Sequence, residues 1–215
     1  MLISTSKRFI FVANTKTAST AIEHVLAPHA EFHYRGDPRR KHLALSAVTS
    51  VAPEIFADPQ YRFASFFKFG VMREPIEWIT SWYRYRLGNT VESPLPTDLS
   101  FEGFWRRQDW NIRRKDGRKF LQSSMFTDDS GACLADVILP YDGMAHCAAR
   151  VFGHLGISAP LPRKNVSRIR ETGAPISADL RSEMREYYAA DYALYDRLEA
   201  LNALGMERLH HMNPH

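Results

Sequence analysis

Apolar positions in this chain fall into short unbroken runs, each followed by a stretch with helical spacing. Arg8 to Ala13 reads RFIFVA, a β-rich apolar run that suits a buried strand. It stops at the polar turn Asn14-Thr15-Lys16-Thr17. From Thr17 to Leu26, Ala18, Ala21, Ile22, Val25 and Leu26 share one side, with Pro28 just beyond, which predicts a helix. The pattern repeats at Phe66–Met72, which ends at Arg73-Glu74-Pro75. Pro75 suits the first turn of a helix, and Ile76, Ile79, Trp82, Tyr83 and Leu87 carry the spacing to Gly88. Val137–Leu139 before Pro140 predicts a third strand, with a helix over Asp142–Phe152.

The segments between are less regular. Residues 29–41, 89–97, 111–119 and 160–170 read as loops, and 43–56 as a short helix with its exit. Phe101–Trp110 is expected to be helical. Ser177–Leu201 reads as one long helix, with the last ten residues frayed. Strands alternating with helices predict one α/β domain over 1–215, a three-layer fold with a central parallel sheet.

Composition fits that reading. Of 215 residues, 45% are apolar and 24% charged, which excludes wholesale disorder. The net charge of +4 suits either nucleic acid or a small polyanion. It is concentrated at Arg35 with Arg39–Lys41, at Arg106 to Lys119, and at Arg163 to Arg170, each also readable as a solvated face. The two cysteines, Cys133 and Cys147, form no CxxC pair or zinc spacing. No apolar run reaches the ~18 residues of a membrane span, and no signal-peptide pattern opens the chain. These features lead us to expect a cytoplasmic protein with no metal.

The first strand-loop-helix unit carries the chemistry. Anions bind outside the carboxyl ends of parallel strands and at helix N-termini. There the loop supplies Lys16 as a point charge, with Thr17, Ala18, Ser19 and Thr20 as small or hydroxyl-bearing neighbours. It is not a Walker A loop, because GxxxxGK[ST] is absent. A polar turn that caps the helix with Thr17 or Ser19 explains the segment as well. In the second unit, Arg73 at the strand end suits bidentate phosphate binding. Ser81 lies eight positions later, in reach of the same group only if its helix runs alongside the ligand. Trp78, Trp82 and Tyr85 at helical spacing read as core.

Thr15-Lys16-Thr17-Ala18-Ser19-Thr20-Ala21 resembles the 5′-phosphosulfate loop of sulfotransferases, PKTAGTS. Arg73-Glu74-Pro75 with Ser81, Tyr83 and Arg84 is similar to that family's 3′-phosphate segment, RDPxERxxSxYR. Asn165-Val166-Ser167, and the tail from Tyr188 through Asp191 and Tyr192 to Tyr195, resemble further family elements. Together these span about residues 9–200. Thr15 replaces the family's proline, Ser19 its glycine and Glu74 its aspartate. Ser19 adds a Cβ where backbone would approach phosphate.

The resemblance implies a P-loop NTPase-like sulfotransferase fold and 3′-phosphoadenosine 5′-phosphosulfate (PAPS) as donor, without metal. It implies that Lys16 stabilises the bridging oxygen, and that Thr17, Ala18, Ser19 and Thr20 hold the 5′-phosphate. Arg73 and Ser81 would hold the 3′-phosphate, with Asn165 and Ser167 as further donor contacts. His42, in RRKHLAL, is the expected general base, with Glu31 and His33 in reserve. Gln122, Ser123 and Ser124 read as ligand contacts or a polar strand edge. The implied partner is a small-molecule or glycan acceptor rather than nucleic acid, with a dimer required for a large acceptor platform. Two other classes compete: a nucleotide kinase, which would need magnesium, and a non-catalytic polyanion-binding module.

Overall fold

A computed structural model describes residues 1–36, 38–88, 94–162 and 176–212. Five strands form one sheet in the order β3-β1-β2-β4-β5: β1 (Leu2–Ser4), β2 (Phe9–Val12), β3 (Phe32–His33), β4 (Phe67–Met72) and β5 (Val137–Pro140). The three expected strands are present and run parallel, with Phe9 opposite Phe67 and Phe69 opposite Val137. The sheet as a whole is mixed, which corrects the expected parallel sheet. β1 pairs antiparallel with both β2 and β3. Leu2–Ser4 reverses directly into β2, and a reversal that short leaves no room for a parallel crossover.

Alternation along the strands builds two cores. Phe9, Phe11, Phe69, Val71, Val137 and Leu139 face one side. They pack against Ile22, Val25 and Leu26 of α1 (Ser19–Leu26), with later helices closing the same side. Ile10, Val12, Met72 and Ile138 face the other side. After α2 (Pro38–Lys41), that side is covered by Val48 of α3 (Val48–Val51) and Ile55 of α4 (Pro53–Phe56). Helices on both faces give the three layers. A third core joins α5 (Pro75–Gly88) and α6 (Phe101–Arg107) through Trp78, Phe104 and Trp105.

α7 (Met144–His154) brings Val151 and Phe152 to the first core. The tail is not one helix but three: α8 (Ala178–Tyr187), α9 (Ala189–Tyr195) and α10 (Leu198–Met212). The break at Tyr188 turns its ring into the third core, where it is fully buried. α10 continues to Met212, into the stretch expected to fray, and Leu209 is fully buried; the remainder of that stretch lies outside the described residues.

α10 seals the edge of the sheet. Asn202 Oδ1 accepts from Ile138 N at 2.8 Å, and its Nδ2 donates to Ile138 O at 2.9 Å. A side-chain amide thereby takes the place of a sixth strand. One turn on, a Cβ at Gly205 would lie 1.8 Å from Asp136 O, so only glycine allows this approach. No helix among the described residues is long and apolar enough to cross a membrane.

Candidate functional site

The carboxyl ends of β2, β4 and β5 open on one side of the sheet, where an open α/β sheet binds its ligands. Three segments meet there: Ala13–Ala18, Arg73-Glu74 and the stretch after Pro140. Tyr141 N donates to Met72 O at 2.8 Å. This sets the Tyr141 ring 4.2 Å from the Arg73 guanidinium.

Local chemistry shapes the first loop. Thr17, fully buried, turns its hydroxyl back to Asn14 O at 3.0 Å and does not cap the helix. The N-cap of α1 is Ala18, which has no side-chain cap. Ala21 N closes back on Ala18 O at 2.9 Å, and among the described residues no side chain caps the N–H groups ahead of it in α1. The capping explanation of this segment is not what the fold adopts.

Lys16 and Ala18 hold φ of 59° and 54°, a left-handed conformation that costs roughly 1–2 kcal/mol per non-glycine residue. Such strain concentrates at ligand clamps. Ser19, the position that raised concern over glycine loss, is not among the positive-φ residues.

The loop lies along α5. Trp78 Nε1 donates to Thr15 O at 2.8 Å, and Lys16 Nζ stands 3.8 Å from the Tyr85 ring centroid and 5.8 Å from that of Trp82. Trp78 is core, as expected, but it also anchors the loop. Burial and the nearby Arg73 charge lower the Lys16 pKa to about 8. Ser81 is half-buried on α5, between the turns of Trp78 and Tyr85. One turn on, Arg84 Nε is buried with no hydrogen-bond partner among the described residues.

His42 comes to the base of the same loop. Its Nδ1 lies 2.6 Å from Ala13 O. A carbonyl only accepts, so Nδ1 carries the proton and Nε2 keeps its lone pair. Burial is the main influence on this imidazole and lowers its pKa, which keeps it neutral at pH 7. The reserve bases are engaged elsewhere. Glu31 accepts from Thr5 N at 2.7 Å and Ser6 Oγ at 2.5 Å, and His33 Nδ1 accepts from Arg35 Nε at 2.5 Å.

The support behind the site had only a partial sequence signal. Gln122, read as a ligand contact or a strand edge, is fully buried. Its Oε1 accepts from Asn14 Nδ2 and from Arg73 N, both at 3.1 Å, and its Nε2 donates to Arg73 O at 2.8 Å. Asp191 of α9, also fully buried, accepts from Gln122 N at 3.0 Å and Ser123 N at 2.8 Å. Burial raises its pKa to about 6. Glu74, in place of the family's aspartate, caps α5 by accepting from Glu77 N at 2.7 Å and also accepts from Tyr192 Oη.

Asn165 and Ser167 lie outside the described residues. A cavity of about 840 Å³ lies elsewhere, between α7 and α10, with an apolar floor of Val137, Leu139 and Met206. No family model, curated protein or solved structure matches the chain.

Proposed function

We propose that the protein is a sulfotransferase that moves a sulfuryl group from PAPS to an acceptor hydroxyl. The observation that carries this reading is the uncapped start of α1, flanked by Lys16 and Arg73 at the carboxyl ends of two parallel strands. Backbone N–H groups from Thr17 to Thr20, with the Thr20 hydroxyl, hold the 5′-phosphate. Arg73 and Ser81 hold the 3′-phosphate, and the unpartnered Arg84 Nε supports the same end of the nucleotide. The loop's course along α5, fixed by the Trp78–Thr15 bond, is the condition under which Ser81 reaches it.

His42 Nε2 takes the acceptor proton as the acceptor oxygen bonds to sulfur. The bond between sulfur and the bridging oxygen breaks, and its electron pair leaves on the nucleotide phosphate. Lys16 Nζ, charged at neutral pH, leaves the Tyr85 ring to donate to that oxygen. Chemistry of this kind rests on positioning and electrostatics, both of which cationic side chains supply.

The test is calorimetric titration with adenosine 3′,5′-bisphosphate without metal, beside ATP with magnesium. Micromolar binding of the bisphosphate and weaker binding of ATP is the expected result. Preference for ATP with magnesium would turn the reading to a kinase. Salt-sensitive polyanion binding without either nucleotide would turn it to a binding module.

A further inference from the structure

Beside the anion loop is a second cavity, of about 310 Å³, between α1 and the chain that follows β3. That volume is at the lower end of those that hold small molecules, ~300–1,000 Å³. It fits one ring rather than an extended chain. The cavity borders the residues of the proposed chemistry, although Lys16 and His42 do not line it. Thr20, assigned above to the 5′-phosphate, lines one wall, and Lys41, next in sequence to His42, lines another.

Six of the eight described residues that line it carry polar or charged side chains, while carbon atoms make up most of the exposed wall. Among the described lining residues Glu23, 5% exposed, is the one acid, and Lys41 Nζ pairs with it at 3.1 Å. Lys41 is thereby matched, and Arg35 is the lining cation that Glu23 does not neutralise. Arg35 also fixes His33, since its Nε donates to His33 Nδ1 at 2.5 Å. His33 then carries its proton on Nε2 as a hydrogen-bond donor. Imidazole faces and the aliphatic stems of Arg35 and Lys41 supply carbon surface for the C–H face of a ring.

We propose that this cavity is the acceptor pocket, and that the acceptor is a single-ring polyol bearing an anionic group. Arg35 receives the anion, and Thr20, Glu23 and His33 receive hydroxyls. An apolar phenol or sterol is a poor fit, because it would strip water from Arg35 and Lys41 and return no hydrogen bonds. The inference rests on the sulfotransferase reading and narrows its acceptor.

The test uses the full chain, with D-glucuronate and D-glucose as probes in saturation-transfer NMR, with and without adenosine 3′,5′-bisphosphate. Glucuronate is expected to bind at least tenfold more tightly than glucose. Arg35→Ala is expected to weaken glucuronate about tenfold, as loss of one charge-assisted contact does. The same variant should leave bisphosphate affinity unchanged, which also reports that it is folded. Equal affinities for the two sugars, no binding of either, or glucuronate binding indifferent to Arg35→Ala would overturn the acceptor proposal; with the bisphosphate still bound, the sulfotransferase reading would stand. Failure of the bisphosphate to bind would overturn both.

Discussion

Gln122 and Arg73 are joined by two hydrogen bonds that mimic a peptide pairing. Arg73 N donates to Gln122 Oε1 at 3.1 Å, and Gln122 Nε2 donates to Arg73 O at 2.8 Å. The backbone of the proposed 3′-phosphate residue is thus set by a side chain 49 positions away, which also holds Asn14 at the neighbouring strand end.

Gln122→Ala strands these buried partners. Each unsatisfied group costs about 1–3 kcal/mol, and partial solvation moderates the sum. We expect a loss of about 3 kcal/mol in urea unfolding. Bisphosphate affinity should fall as well, because Arg73 loses its register. Gln122→Glu keeps Oε1 but loses the donor to Arg73 O, and should fall between the two.

Asp191 makes stability depend on pH. Its folded pKa is raised to about 6 from 3.8, so the folded state binds the proton more tightly than the unfolded chain. Its contribution is fully favourable below about pH 4. It is lost as pH rises to about 6, where the penalty levels off at about 3 kcal/mol. Asp191→Asn removes this slope, while one backbone N–H then faces an amide donor, which costs about 1–3 kcal/mol. Urea midpoints between pH 4 and pH 7 for both proteins isolate the effect as a difference in slope.

Lys16 should impose an upper pH limit on nucleotide binding. Its pKa in the free protein is about 8, and a bound phosphate favours the charged form. Above pH 8 each binding event must therefore take up a proton, and affinity should fall about tenfold per pH unit. Lys16→Gln should bind more weakly and show no such fall from pH 8 to 9.5. Calorimetry across that range checks it.

At the sheet edge, Gly205→Ala drives a Cβ to 1.8 Å from the Asp136 carbonyl oxygen. A backbone atom cannot turn aside, and we expect a loss of about 3 kcal/mol. Leu204→Ala, at a position 68% exposed, should stay within about 0.5 kcal/mol. Thermal unfolding of the pair separates edge sealing from helix propensity.

The parts of this fold that follow from local pattern were legible in the sequence. β2, β4 and β5 stand out as apolar runs, and α5 begins at Pro75 and ends at Gly88 as its spacing implied. β1 and β3 have three and two residues, too few for a period to register, so the mixed character of the sheet was hidden. The breaks around α9 carry no glycine or proline. The first coincides with Tyr188 entering the third core, and Asp191 one turn on is drawn onto Gln122. At the site, Lys16, Arg73 and His42 were candidates by residue type and place. The roles of Gln122, Tyr85 and Tyr141 depend on contacts distant in sequence, which no local motif encodes.

The central claim is that Arg73 recognises a 3′-phosphate at the end of β4. The most direct test compares adenosine 3′,5′-bisphosphate with adenosine 5′-monophosphate on the native protein and on Arg73→Ala. The native protein should prefer the bisphosphate by at least tenfold, and Arg73→Ala should bring the two ligands to similar affinity with monophosphate binding preserved. A preference that survives in Arg73→Ala, or its absence from the native protein, would contradict the account.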